Sequence, residues 1–112
     1  YVSLPVLTVR ELWERMSREP SLQVLDVREA AEWAAGHIAG AVHLPFYRVA
    51  REDPPVDPNH PLAVICGSGT RSAIAASLLQ ARGWERLFNV PGGMTAWRAS
   101  GLPVVTEPAL AR

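Results

Sequence analysis

Pro61-Leu62-Ala63-Val64-Ile65-Cys66-Gly67-Ser68-Gly69-Thr70-Arg71-Ser72 changes character twice within a few residues. Leu62 to Ile65 is an apolar run of the length of a buried strand. The chain's only cysteine follows, and then come Gly67, Ser68, Gly69, Thr70 and Arg71. From Ser72 the pattern turns helical: Ala73, Ile74, Ala75, Ala76, Leu78 and Leu79 are mostly strong helix formers and supply an apolar face. The reading is strand, tight loop, helix. It puts Cys66 at the strand's C-terminal end, on the edge of an open α/β sheet where ligands sit.

That placement has chemical consequences. Without a Cβ, Gly67 and Gly69 let the loop take dihedrals that other residues avoid. A loop curled in this way can aim several N–H groups at one point and form an anion-binding nest. The helix that follows adds its positive N-terminal end, and Arg71 adds a fixed charge. A sulfur at the centre of such a cup is pushed towards thiolate, the reactive form. Free cysteine is also among the most buried residue types, and mid-strand it would read as a packing residue. At the mouth of a glycine-rich loop ahead of a helix, Cys66 reads as a reactive thiol.

Strands and helices alternate on either side of this unit. Leu4 to Leu7 is a candidate edge strand. Thr8, with Glu11 three residues on, forms a capping box for a helix that runs to about Arg18 and buries Val9, Leu12, Trp13 and Met16. Pro20 stops it. Leu22 to Val27 is a strand that delivers Asp26 and Arg28 to the same sheet edge as Cys66. A short helix over 30–35 ends at Gly36, 42–44 is a brief strand, and 46–51 is a helical turn or two. Asp53 to Pro61 holds four of the ten prolines and reads as a rigid surface loop. After the central helix, Gly83 is a C-cap, 86–90 the last strand, 91–93 a turn and 94–100 a final helix. A loose tail is expected at the C-terminus, within 105–112. The pattern implies an α/β fold with a mostly parallel central sheet of about five strands and helices on both faces.

Composition narrows the functional classes. The 112 residues suit one domain with a single core, and 48% hydrophobic content is ordinary for a globular protein. Zero net charge gives no field that favours nucleic acid or an anionic membrane. No apolar run approaches the roughly 18 residues of a membrane span. No secretory signal is visible, and a single cysteine needs no oxidising compartment, so a cytoplasmic location is expected. The chain begins with Tyr1 rather than Met, which leaves room for a longer parent polypeptide. His37, His43 and His60 lack metal-ligand spacing, so no metal or other cofactor is expected. His37 reads as a structural hydrogen-bonding residue, and the four tryptophans read as packing residues.

Three stretches together resemble the rhodanese-like family. Asp26-Val27-Arg28-Glu29 with Glu32-Trp33 and Gly36-His37-Ile38-Ala39-Gly40-Ala41-Val42-His43-Leu44-Pro45 is similar to its first signature. Cys66 to Ser72 is similar to its active-site loop. Val90-Pro91-Gly92-Gly93-Met94-Thr95-Ala96-Trp97, with Gly101-Leu102-Pro103-Val104, is similar to its C-terminal signature. The resemblance implies a rhodanese-like fold and sulfur transfer. Cys66 would be the nucleophile and Gly67, Ser68, Gly69, Thr70 and Arg71 the substrate-binding loop; the place of Asp26 and Arg28 at a strand end, on the sheet edge of Cys66, makes them candidate supporting residues. Asp26 would brace the loop by pairing with Arg71 or a loop amide, or would form a local ion pair that caps the next helix. The implied partners are a small sulfur donor (thiosulfate or a low-molecular-weight persulfide) and a cyanide or thiol acceptor. The resemblance leaves the oligomeric state open.

The same resemblance frames the rival readings. Phosphatases of this fold place five residues between cysteine and arginine. Four separate Cys66 from Arg71, so the cup is one residue short for phosphate. Non-catalytic modules of the family usually lose the cysteine, which is present here. A sulfur-relay module of a larger fusion protein remains compatible with the sequence. Inside the loop Ser68 and Thr70 are small and neutral, and only Arg71 is basic, a setting that leaves organic persulfides open as donors beside thiosulfate.

Overall fold

The structure is a computed structural model that describes residues 4–106. Four parallel strands form one sheet in the order β2-β1-β3-β4: β1 (Gln23–Asp26), β2 (Val42–His43), β3 (Leu62–Ile65) and β4 (Leu87–Asn89). The helices are α1 (Val9–Arg18), α2 (Ala30–Ala34), α3 (Phe46–Val49), α4 (Thr70–Ala81) and α5 (Gly93–Ala99). The expected edge strand at Leu4 to Leu7 contributes a single parallel bridge, Val6 to Asn89, so the sheet has four strands and this one added rung. Pro5 has no N–H to extend the ladder; its carbonyl accepts from the Asn89 amide, and the Leu7 amide returns a bond to the Asn89 carbonyl.

All four residues of β3 are buried, as a strand covered on both faces requires. Its side chains alternate between two cores. Leu62, Val64 and Cys66 pack with Leu25, Val49, Ala75, Ala76 and Leu79, under α3 and α4. Ala63 and Ile65 pack with Val9, Leu12, Val24, Met94 and Trp97, under α1 and α5. The Thr8–Glu11 capping box forms in both directions, and α1 ends at Arg18, ahead of Pro20. Trp13 departs from expectation. It is 40% exposed and sets its edge against Trp97, because Val9 and Leu12 already fill the inward stripe of this helix.

The chain runs from β1 out to β2 and returns to β3 on β1's other side, so the strand order reverses between β1 and β3. Open α/β sheets bind ligands at this crevice, beyond the carboxyl ends of the strands. Asp26 and Ile65 are register partners there, and the Val27 amide donates to the Ile65 carbonyl. Val105 lies in the stretch expected to be loose, yet it exchanges two backbone hydrogen bonds with His37. The remainder of the expected tail, from Glu107, lies outside the described residues.

Candidate active site

Cys66 follows β3 directly and has no exposed surface. Burial alone would suit a packing cysteine; its polar setting does not. The Gly69 amide donates to Sγ at 3.0 Å. Burial pushes the thiol pKa up, but hydrogen bonds from the Ser72 hydroxyl and from the Ser72, Gly69 and Ser68 amides outweigh it, and the net effect is a thiol below its ordinary value. Ser72 has one hydroxyl proton, which points to Asn89 Oδ1 at 2.6 Å. The backbone amides are therefore the donors that hold the sulfur whichever way that proton turns.

The loop keeps its amides inward because its carbonyls are engaged elsewhere. Cys66, Gly67 and Ser68 carbonyls accept from the Met94, Thr95 and Gly92 amides at 2.7, 3.0 and 3.1 Å. These donors belong to the first turn of α5 and its cap, where a helix has N–H groups without intrahelical partners. Gly93 makes the approach possible. A Cβ there would collide with the Cys66 carbonyl oxygen and come within 2.8 Å of the Gly67 carbonyl carbon. Gly69 adopts φ 106°, as the curled loop requires. Gly67 does not join it in the left-handed region. A Cβ at position 67 would lie 3.1 Å from Arg71 Nη2, so a larger residue there would press on the guanidinium that pairs with Glu32. Thr70 and Arg71, read as loop from the sequence, form the first turn of α4, because the left-handed Gly69 is already the cap.

Arg71 does not meet Asp26. Its guanidinium makes a two-pronged ion pair with Glu32, Nη1 to Oε1 at 2.8 Å and Nη2 to Oε2 at 3.0 Å. Glu32 Oε1 also accepts from the Glu29 amide in a capping box that opens α2. The Arg71 hydrogen bond, aided by that amide, outweighs partial burial and lowers the Glu32 carboxyl from 4.5 to about 2. Asp26 instead binds Arg28, through Nε, through Nη2 at 2.7 Å and through the backbone amide. Both are buried, and Arg28 reaches on to the Gly36 carbonyl at 2.8 Å. The local ion pair thus prevails over direct bracing of the loop. It anchors the end of β1 to the end of α2, the helix that carries Glu32. His43 Nε2 lies 2.8 Å from the Arg28 carbonyl and His37 Nδ1 lies 2.8 Å from the Trp33 carbonyl, with the Trp33 ring stacked on both imidazoles.

Sequence reasoning did not single out Glu32, Asn89 or Gly93. For Glu32 a signal existed: a carboxylate at the start of the helix that leaves β1, beside Cys66's own strand. Asn89 accepts the Ser72 hydroxyl and donates to the Gly69 carbonyl at 3.3 Å, and so ties β4 to the loop. A surface groove lined by Pro5, Gln80, Trp84 and Leu87 lies at the start of β4 and shares no residue with the loop. Its lining, which also includes Glu85 and Arg86, offers no thiol or hydroxyl.

The fold and site together define an α/β protein whose parallel sheet presents a lone thiol, held by backbone amides, at its switch point. Comparison with known proteins makes the assignment specific. The profile of the Rhodanese-like domain matches residues 8–100. YrkF of Bacillus subtilis, whose name describes a sulfur carrier protein, is 34% identical over 95 residues, which are 85% of this chain and 51% of that protein. The chain therefore spans about half the length of that relative. The thiosulfate sulfurtransferase GlpE of Actinobacillus pleuropneumoniae is 32% identical over 100 residues, covering 89% of this chain and 92% of that one. The crystal structure of a rhodanese-related protein from Thermoplasma volcanium superposes with a TM-score of 0.83 at 32% identity, over 92% of this chain and 99% of that one. The chain belongs to the rhodanese-like domain family.

Proposed function

We propose that the protein is a sulfurtransferase that carries sulfur as a persulfide on Cys66. The observation that carries this reading is the Cys66 sulfur, the chain's only thiol, gripped by the Gly69 amide in a loop whose carbonyls are held outward by α5. In the first half-reaction the Cys66 thiolate attacks the outer sulfur of a donor, either thiosulfate or a low-molecular-weight persulfide. The donor's S–S bond breaks and sulfite or a thiolate departs with the electron pair. Cys66 is left as Cys–S–S⁻, with the terminal sulfur held by loop amides. In the second half-reaction cyanide or a thiol attacks that terminal sulfur, and the Cys66 thiolate leaves. This is covalent catalysis with ping-pong kinetics, and it needs no cofactor. Gly67, Ser68, Gly69, Thr70 and Arg71 form the cup. Asp26 and Arg28 support it at one remove, through α2.

The names of the relatives support sulfur chemistry, and the four-residue spacing from Cys66 to Arg71 favours a single sulfur over a phosphate. The length of YrkF also supports a second setting for the same chemistry, a sulfur-relay module within a longer protein. Steady-state kinetics with thiosulfate and glutathione persulfide, side by side, test the reading. Both the wild type and Cys66→Ser should melt normally. The wild type should give parallel double-reciprocal lines with at least one donor, and Cys66→Ser should turn over neither. If the wild type hydrolyses aryl phosphates faster than it moves sulfur from any donor, a phosphatase reading takes over.

A further inference from the structure

The loop's one cation is already occupied. Arg71 lies in the first turn of α4 with its guanidinium beside Gly67, and both prongs of that guanidinium are held by Glu32. Arg71 and Glu32 are each half-buried, so the pair is neither sealed in the core nor free in solvent. Glu32 is further fixed by the Glu29 amide, which presents its carboxylate to Arg71. Once Cys66 is a thiolate, Cys66, Glu32 and Arg71 together carry one net negative charge; Glu29 adds another within reach of Arg71, and Arg28, which acts on Glu32, is offset by its partner Asp26. A dianionic donor such as thiosulfate then approaches a mouth that is net negative. In glutathione persulfide the two carboxylates and the ammonium lie several bonds from the sulfur that reacts, whereas thiosulfate concentrates its whole charge around it.

We infer that Glu32 is a specificity-determining residue: by holding Arg71 in a two-pronged ion pair beside Cys66, it withdraws that cation from incoming donors and selects against those whose negative charge is concentrated at the reacting end. The inference rests on the reading of Cys66 as the sulfur-accepting nucleophile. It assigns Glu32 no part in bond making. Arg71 is charged with or without Glu32; Glu32 and, more weakly, the Cys66 sulfur push its already high pKa further up, which shows that the guanidinium lies within electrostatic reach of the sulfur.

Alkylation tests this without requiring sulfur transfer. In both iodoacetate and iodoacetamide the Cys66 thiolate attacks the methylene carbon, a C–S bond forms, and iodide leaves with the electron pair of the C–I bond. The two reagents differ mainly in one negative charge, so the ratio of their rates cancels any change in thiol acidity and reports the field at the mouth. Glu32→Gln should raise the iodoacetate-to-iodoacetamide ratio about threefold, the effect of one partly exposed charge, and added salt should shrink the rise. Arg71→Gln should lower the ratio, and the double variant Glu32→Gln/Arg71→Gln should return it to the wild-type value, so the test survives if one single variant fails to fold. In kinetics, Glu32→Gln should raise kcat/KM for thiosulfate more than for glutathione persulfide. An unchanged ratio in Glu32→Gln, or equal falls in both alkylation rates, would overturn the inference while leaving Cys66's role intact. A Cys66 inert to both reagents in every variant would overturn the underlying reading as well.

Discussion

At the scale of residues, the account turns on a thiol whose surroundings oppose each other. Cys66 has no exposed surface, and burial disfavours its charge, yet the Ser72, Gly69 and Ser68 amides, joined by the Ser72 hydroxyl when its proton turns from Asn89 to the sulfur, outweigh that penalty. The sign is therefore downward from the ordinary 9.0, and because thiolate is the species that attacks, reactivity should be complete at a lower pH than for a free thiol. The rate of iodoacetamide alkylation should rise with pH and level off below that value; a midpoint at or above it would contradict the nest. Asp26 illustrates the limit of reading single residues from sequence. Its position at the end of β1 was legible, but its choice between Arg28, two residues on, and Arg71, on another helix, was not. The nearer guanidinium is buried with it, and a buried carboxylate and guanidinium left unpaired would each be costly, by about 3–5 kcal/mol. Arg71 then falls to Glu32, which no local pattern tied to it.

At the scale of elements, the strand–loop–helix unit around Cys66 was readable because each part has a local cause: an apolar run for β3, glycines for the curl, helix formers for α4. The support from α5 was not readable, since it joins residues far apart in sequence through backbone amides that carry no side-chain signature. Gly93 is the most exacting point of that support. It has φ 52°, and its Cα faces the Cys66 carbonyl with no room for a methyl group. Gly93→Ala should cost at least about 1 kcal/mol from the left-handed backbone alone, lowering Tm by roughly 4–8 °C. Displacement of the loop carbonyls should also cut sulfur-transfer kcat by more than the loss of folded protein explains. Circular dichroism melts and turnover measured on the same preparation check both parts; a variant that melts lower but keeps full turnover per folded molecule would show that α5 does not shape the nest.

At the scale of the whole molecule, the alternation of strands and helices was enough to predict an α/β sheet covered on both faces. Of the roughly five strands expected, four form in full and the fifth, the N-terminal segment, is held by Pro5 to one bridge against β4. The reversal of strand order between β1 and β3 then explains why residues from the first and second signatures converge. It brings the end of β1, the start of α2 and the Cys66 loop to one crevice, with α5 beneath. The central claim is that this convergence makes Cys66 a carrier of sulfur. Its most direct test is intact-protein and peptide mass spectrometry after incubation with glutathione persulfide or thiosulfate, followed by cyanide. The account predicts a gain of one sulfur atom, located on Cys66, that cyanide removes and that Cys66→Ser never acquires. A wild-type protein that gains no sulfur from either donor, or that gains it equally with Cys66 replaced, would contradict it.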